Sequence, residues 1–173
     1  MALLQTPQAD TALIAPDFHL KNVDNSMMRL DDIKGENGTL VMFICNHCPY
    51  VKSIADRLQP TAEKLEALGI GVAAIMSNDT QNYPEDSYEN MQAFARKYSF
   101  AFPYLIDETQ NIAKAYGAVC TPDFFGFNRH LELQYRGRLD SAGKNQANDE
   151  TTPELVLAMK QIAQTGSGPK EQY

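Results

Sequence analysis

The 173-residue chain lacks the features that point to a nucleic acid or a membrane. Its net charge is −7, and its longest run of basic residues is the pair Arg96–Lys97, so it offers no cation cluster to a phosphate backbone or an anionic lipid surface. No apolar run approaches the length that crosses a bilayer. Residues 1–7 lack the basic flank and apolar core of a secretory signal. We therefore expect a cytoplasmic protein with neither a nucleic-acid nor a membrane partner.

Cysteine is scarce, and its scarcity is informative because the three residues are not scattered. An odd number of cysteines in a chain expected to be cytoplasmic argues against a static disulfide framework. Cys45 and Cys48 follow an apolar run, and Cys120 lies in the segment Cys120-Thr121-Pro122. All three therefore fall in turns at the ends of predicted strands, a placement that indicates thiol chemistry or a metal.

Short apolar runs predict the central strands of an α/β sheet. Three runs, Thr39–Ile44, Gly69–Met76 and Phe102–Ile106, have the length and composition of buried strands. They alternate with segments of helical periodicity, which predicts parallel pairing. Predicted hairpins precede and follow this region, and a last helix closes the chain. The expected fold is a mixed central sheet flanked by helices, with an N-terminal β-hairpin extension.

Proline and polar residues define the expected boundaries. A helix should open at Pro49 and be kinked or split at Pro60. The polar segment Ser77–Ser87 follows a strand and is expected to rim the site, with the next helix starting near Asp86. The chain is expected to be one domain, residues 1–173, with a core over about 12–165 and a frayed or disordered tail at 166–173.

Cys48 is the candidate nucleophile. It lies where the strand ends and the helix begins, so unpaired backbone N–H groups and the positive end of the helix dipole favour its thiolate. This placement should lower the pKa of Cys48 and raise its reactive fraction. Pro49 suits the first helical position. His47 would add positive charge if protonated, but it is interpreted as a solvent-facing loop residue.

The thiol that would resolve a mixed disulfide is left open between Cys45 and Cys120. Cys45 lies three residues before Cys48 and would either reach it or pack at the strand end. A cis bond before Pro122 would place the preceding backbone against the turn that carries Cys48. That geometry would bring Cys120 towards Cys48.

These residues resemble the thioredoxin-like superfamily. The order of elements, the segment Ala15–Phe18, the cysteine at the strand–helix junction and the Thr-Pro before the closing hairpin carry the resemblance over about residues 12–165. Within it, the chain is similar to the alkyl-hydroperoxide-reductase/thiol-specific-antioxidant (AhpC/TSA, or redoxin) branch. The segment Asn46–Lys52, which reads Asn-His-Cys-Pro-Tyr-Val-Lys, is similar to a peroxiredoxin-like subgroup of that branch.

The chain departs from the family pattern at three positions. Val51 stands where a thioredoxin has its second cysteine. Cys45 and Val41 stand where a peroxiredoxin has the Thr or Ser and the proline that precede its reactive cysteine. The hydroxyl that would orient a peroxide is therefore missing, which favours disulfide exchange or weak peroxidase activity over efficient peroxidase activity.

The resemblance implies a thiol-dependent oxidoreductase that acts through Cys48. It also implies that the substrate contacts Pro49, Thr121, Pro122 and an arginine on the closing strand, Arg136 or, in our assignment, Arg138. With no flavin or nicotinamide fingerprint, no cofactor is expected. Electrons would come from a thiol protein or a small thiol, and a homodimer is compatible with the resemblance.

Two alternatives belong to other functional classes. Cys45, Cys48 and Cys120, with or without His47, would suit a zinc or iron site by residue type. A thioredoxin fold also serves as a non-catalytic interaction module, since a fold does not determine a function. His19 and His130 are isolated and are given no role.

Overall fold

The computed structural model describes residues 6–173. The elements of this part of the chain are, in order, β1 (His19–Asn22), β2 (Met27–Arg29), α1 (Leu30–Ile33), β3 (Gly38–Phe43), α2 (Pro49–Glu66), β4 (Ile70–Met76), a 3₁₀ turn (Pro84–Asp86), α3 (Tyr88–Lys97), β5 (Tyr104–Ile106), α4 (Asn111–Tyr116), β6 (Asp123–Phe127), β7 (Leu133–Gly137) and α5 (Glu154–Thr165). The predicted order of a hairpin, alternating strands and helices, a second hairpin and a last helix is confirmed.

The strands form one mixed sheet in the order β2-β1-β5-β4-β3-β6-β7. The three central strands β5, β4 and β3 are parallel, and the two hairpins add antiparallel strands at either side. The predicted fold class is therefore confirmed, including the N-terminal hairpin. No helix of residues 6–173 has the length and apolar character needed to cross a membrane.

Strand β3 shows how the sheet separates two cores. Side chains alternate across a strand, so Leu40 and Met42 face one layer while Val41 and Phe43 face the other. The first layer contains the apolar faces of α2, α3 and α5, and the second contains those of α1 and α4. Each fully buried large side chain in these layers stabilises the fold by about 1.5–3 kcal/mol.

Helix α2 is continuous through Pro60, so of the two effects expected of Pro60, a kink or a split, the split is wrong. The residues around the proline, Leu58, Ala62 and Leu65, are buried in the first core layer. A proline inside a helix costs about 3 kcal/mol. Packing of this face against the sheet offsets that cost.

The start of α3 also differs from the prediction. Ser87, rather than Asp86, is the N-cap, and its hydroxyl accepts a hydrogen bond from the N–H of Asn90 at 3.2 Å. Asp86 belongs to the preceding 3₁₀ turn and is completely buried. Its carboxylate is therefore turned inward, away from the helix that it was expected to cap.

The C-terminal segment 166–173 has defined contacts where the sequence predicts a disordered tail. The Gln172 side chain accepts from the N–H of Arg136 at 2.9 Å and donates to the carbonyl of Gln134 at 2.8 Å. The N–H of Arg138 bonds to the carbonyl of Tyr173. Strand β7 lies at the edge of the sheet, so its outer N–H and C=O groups need partners. The tail supplies them.

Candidate active site

Cys48 lies at the carboxyl end of β3 and is the N-cap of α2, with Pro49 in the first helical position, as predicted. Its pKa is lowered to about 5, chiefly by a hydrogen bond from the Cys45 thiol and further by Thr121 and by the N–H groups of Val51 and Tyr50. Burial acts in the opposite direction. Cys48 is therefore a thiolate at neutral pH.

Cys45 has the opposite environment. It is 1% exposed and lies in the first core layer. The hydrogen bond to Cys48 raises its pKa far above the ordinary value, and burial and the negative charge of Asp86 act in the same direction. Cys45 is thus the protonated member of the pair. All three cysteines are free thiols.

Thr121 lies against both sulfur atoms. The Thr121–Pro122 peptide bond is cis, as predicted. The carbonyl oxygen of Thr121 is 3.5 Å from Sγ of Cys48, and its hydroxyl oxygen is 3.6 Å from Sγ of Cys45. A single residue of the turn before β6 therefore contacts the two cysteines of the strand–helix junction.

Cys120 is placed differently from the other two cysteines. Its sulfur is half-buried and lies 3.6 Å from the hydroxyl of Thr6, and no hydrogen bond among residues 6–173 joins it to Cys45 or Cys48. Burial raises its pKa. The structure therefore brings together Cys45 and Cys48, and it places Cys120 as an unactivated thiol beside them.

A groove of about 580 Å³, a volume within the range of small-ligand sites, opens beside the turn that contacts the cysteine pair. Among the described residues, Cys120 lines this groove, whereas Cys45 and Cys48 do not. Its lining includes Tyr50 from α2, the turn Cys120–Pro122, and Arg138 with Leu139 from the end of β7. Thr121, Pro122 and Arg138, which the sequence proposes as substrate contacts, thus face one space. Pro49 is not part of this lining and serves at the first turn of α2.

The two candidate arginines have other partners. Arg138 donates to the Glu154 carboxylate at 2.5 and 2.6 Å and lies over the ring of Tyr173 at 5.2 Å. Arg136 is 8% exposed and forms an ion pair with the fully buried Asp123. Arg138 therefore lines the groove with its charge already paired to Glu154. The guanidinium of Arg136 is bound to Asp123 and does not line the groove.

A polar network beside Cys45 is the feature that sequence reasoning missed. The buried carboxylate of Asp86 accepts from the N–H of Asn46 at 2.7 Å and from the amide of Asn78 at 2.8 Å, and it lies 2.5 Å from Nδ1 of His47. The His47 ring stacks on Tyr83 with centroids 5.1 Å apart. His47 is thus held in place rather than free in a loop.

This network also bears on the metal alternative. The donor atoms of Cys45, His47 and Asp86 lie within 4.8 Å of one another in the described part of the chain. Neither Cys48 nor Cys120 belongs to this group, so the ligand set suggested by the sequence is not assembled. The Asp86 carboxylate already has three polar partners in the protein, Asn46, Asn78 and His47.

Comparison with known proteins gives a consistent family. A model of the AhpC/TSA family matches residues 12–138. The chain is 28% identical to the thiol-disulfide oxidoreductase ResA of Halalkalibacterium halodurans, over 69% of this chain and 63% of that protein. It is 27% identical to the putative peroxiredoxin bcp of Coxiella burnetii, over 65% of this chain and 69% of that protein. It is 27% identical to the chloroplastic peroxiredoxin Q of Triticum aestivum, over 65% of this chain and 48% of that protein, so it spans only about half of this relative.

Solved structures agree with these sequence matches. An uncharacterized conserved protein from Geobacillus kaustophilus superposes with a TM-score of 0.86 at 41% identity, covering 98% of this chain and 92% of that one. The thioredoxin domain of a thiol-disulfide oxidoreductase from Bacteroides vulgatus gives a TM-score of 0.62 at 15% identity, covering 73% and 87% of the two chains. The second likeness shows the fold alone, which is that of thioredoxin.

Proposed function

The chain belongs to the AhpC/TSA family, and on that premise we propose that it is a thiol-dependent oxidoreductase with Cys48 as nucleophile and Cys45 as resolving thiol. The observation that supports these roles is the different placement of the two sulfurs, because Cys48 lies at the N-terminus of α2 whereas Cys45 is buried in the first core layer. The interaction between the two residues lowers the pKa of Cys48 and raises that of Cys45. One sulfur is therefore ready to attack, while the other keeps its proton until the first step is complete.

In the first step the Cys48 thiolate attacks one sulfur of a substrate disulfide. The substrate S–S bond breaks, a mixed disulfide to Cys48 forms, and the departing thiolate takes a proton from solvent. In the second step Cys45 loses its proton and attacks the Cys48 sulfur. A Cys45–Cys48 disulfide forms, the second substrate thiol leaves, and two electrons have passed to the substrate. A thiol protein or small thiol then reduces the pair.

The second step needs a reason for Cys45 to lose its proton. Formation of the mixed disulfide removes the negative charge of Cys48, and with it the main cause of the raised pKa of Cys45. The His47–Asp86 pair lies within 4.8 Å of the Cys45 sulfur and is positioned to accept the proton. Attack by Cys45 is therefore coupled to completion of the first step.

Disulfides are favoured over peroxides as substrates. Peroxide reduction would need donors that orient the peroxide and stabilise the leaving oxygen. Cys45 occupies the position where the family has a hydroxyl, and the guanidinium of Arg136 is bound to Asp123 and to the carbonyl of Gly117. Cys48 would still react with peroxide as a thiolate, giving a sulfenic acid that Cys45 converts to the same disulfide with loss of water.

The test is a comparison of reaction rates under single-turnover conditions. Reduced protein is mixed with glutathione disulfide or with hydrogen peroxide, and loss of free thiols is followed in wild type, Cys48→Ser and the matched control Cys120→Ser. We expect Cys48→Ser to abolish both reactions, Cys120→Ser to retain both, and the disulfide reaction to be the faster. Full activity in Cys48→Ser would overturn the proposal.

A further inference from the structure

A buried ion pair lies behind the turn that carries Thr121. Arg136 donates from Nε and Nη2 to the two carboxylate oxygens of Asp123 at 3.2 and 2.8 Å. Its guanidinium also lies over the ring of Phe125 at 4.5 Å. Arg136 pairs with Phe125 in the β6–β7 register, and Asp123 lies two residues before Phe125, so all three side chains share one face of the sheet.

The pair holds both ends of the turn 117–122. At the start of the turn, Nη2 of Arg136 donates to the carbonyl of Gly117 at 3.0 Å, and Oδ2 of Asp123 accepts from the N–H of Val119 at 3.4 Å. At its end, Asp123 follows Pro122 directly and pairs with Phe43 of β3. The ion pair thus ties the turn to the strand that leads to Cys45 and Cys48.

At its start, the turn bonds back to α4 through the N–H groups of Gly117 and Ala118, and its later part has few hydrogen bonds among the described residues. Within residues 6–173, the only backbone N–H group between Val119 and Thr121 that has a hydrogen-bond partner is that of Val119, and the partner is Asp123. Among the described residues, the hydroxyl of Thr121 has one hydrogen-bond partner, the Cys45 sulfur at 3.6 Å, and the carbonyl oxygen of Thr121 lies 3.5 Å from the Cys48 sulfur. The position of Thr121 therefore depends on the ion pair.

We propose that Arg136 and Asp123 are positioning residues that hold Thr121 against the Cys45–Cys48 pair and so maintain the reactivity of Cys48. This inference rests on the proposed function. It gives the arginine of the closing strand a role different from contact with substrate. Arg136 acts through Thr121, because each hydrogen bond of its guanidinium is made with the turn or with Asp123.

The experiment is a titration of Cys48 by its rate of alkylation with iodoacetamide, combined with thermal unfolding, in wild type and variants. In Arg136→Lys we expect the midpoint for Cys48 to rise by about one pH unit, which is about tenfold in its thiol–thiolate equilibrium. Thr121→Val should cause a shift of the same direction and similar size. Both substitutions disturb the same contact, that of Thr121 with the cysteine pair. The double variant should therefore shift the Cys48 midpoint no further than either single variant does.

The matched control is Arg57→Lys. Arg57 forms an ion pair with Asp140 that is nearly as buried, with side chains 15% and 9% exposed, but that pair does not touch the turn. Arg57→Lys should lower thermal stability and leave the Cys48 midpoint unchanged. If Arg136→Lys does not fold, Asp123→Asn tests the same contact, and it should raise the midpoint likewise.

The outcomes separate this inference from the proposed function. An ordinary thiol midpoint in the wild type would contradict the proposed function. A low wild-type midpoint that Arg136→Lys or Asp123→Asn leaves unchanged, while stability falls, would show that the ion pair is merely structural and would overturn the inference. Additive shifts in the double variant would also overturn it, since the ion pair would then act independently of Thr121.

Discussion

The side chains of Cys45 and Cys48 interact, and this interaction is the largest single cause of the opposite pKa shifts of the two residues. The two sulfurs differ because Cys48 lies at the open N-terminus of α2, whereas Cys45 lies in the core. The predictions below follow from this relationship and from the groups that contact it.

The first prediction concerns the pH dependence of Cys48. Its pKa of about 5 means that it is mostly thiolate at pH 6, so alkylation should be fast there and should fall only as the pH approaches 5. Mass spectrometry of protein alkylated for short times measures the rate at each cysteine. A Cys48 rate that keeps rising until pH 9, like that of an ordinary thiol, would contradict the assignment.

The second prediction separates the contribution of Cys45. Cys45→Ala removes the hydrogen bond that lowers the pKa of Cys48 most, so the alkylation midpoint of Cys48 should move upward, by at least about one unit. Cys45→Ser retains a donor and should shift the midpoint less. An equal midpoint in wild type and Cys45→Ala would mean that the helix terminus alone sets the pKa of Cys48.

The third prediction concerns stability. The folded pKa of Cys48 is depressed, so the unfolded chain binds more protons between about pH 5 and pH 9, and the free energy of unfolding should rise with pH in that window. Above pH 9 the raised pKa of Cys45 reverses the sign, because the folded protein then holds the extra proton. Urea unfolding of the reduced protein at several pH values, beside Cys48→Ser, measures both slopes. If the free energy of unfolding of Cys48→Ser rises with pH by the same amount, the rise comes from a titratable group other than Cys48.

The fourth prediction concerns the resolving step. Asp86→Asn and His47→Gln should leave the first attack by Cys48 unchanged and should lengthen the lifetime of its mixed disulfide, because both disturb the proton acceptor beside Cys45. Asp86→Asn should also lower the free energy of unfolding by about 1–3 kcal/mol through a disturbed buried hydrogen-bond network. Rapid-quench mass spectrometry follows the mixed disulfide.

A control for the fourth prediction is Asp31→Asn. Asp31 is an exposed carboxylate whose partner is Lys34, three residues away. It should change neither the stability nor the lifetime of the mixed disulfide. If the two variants of the His47–Asp86 pair resolve the mixed disulfide at the wild-type rate, that pair has no part in proton transfer.

The sequence predicts the parts of the site that depend on local order. The apolar run of β3 and the proline that opens α2 place Cys48 correctly, because strand ends and helix starts have local signals. The turn at Thr121–Pro122 is also predicted by a local signal, the proline that precedes the closing hairpin. The order of strands and helices follows from periodicity together with proline and turn residues.

The parts that the sequence does not predict depend on distant pairs. Asp86 has the local pattern of a helix cap, and only the assembled sheet shows that it meets His47, 39 residues earlier. Arg136 has the pattern of an exposed strand residue until β6 supplies Asp123. The tail at 166–173 has no apolar pattern, because its contacts with β7 are made through the backbone and an amide side chain.

The most direct test of the account is disulfide mapping of protein oxidised with less than one equivalent of glutathione disulfide, quenched by acid and digested. The account predicts a Cys45–Cys48 disulfide as the main product, with Cys120 recovered as a free thiol. A disulfide between Cys48 and Cys120, with Cys45 still reduced, would contradict it.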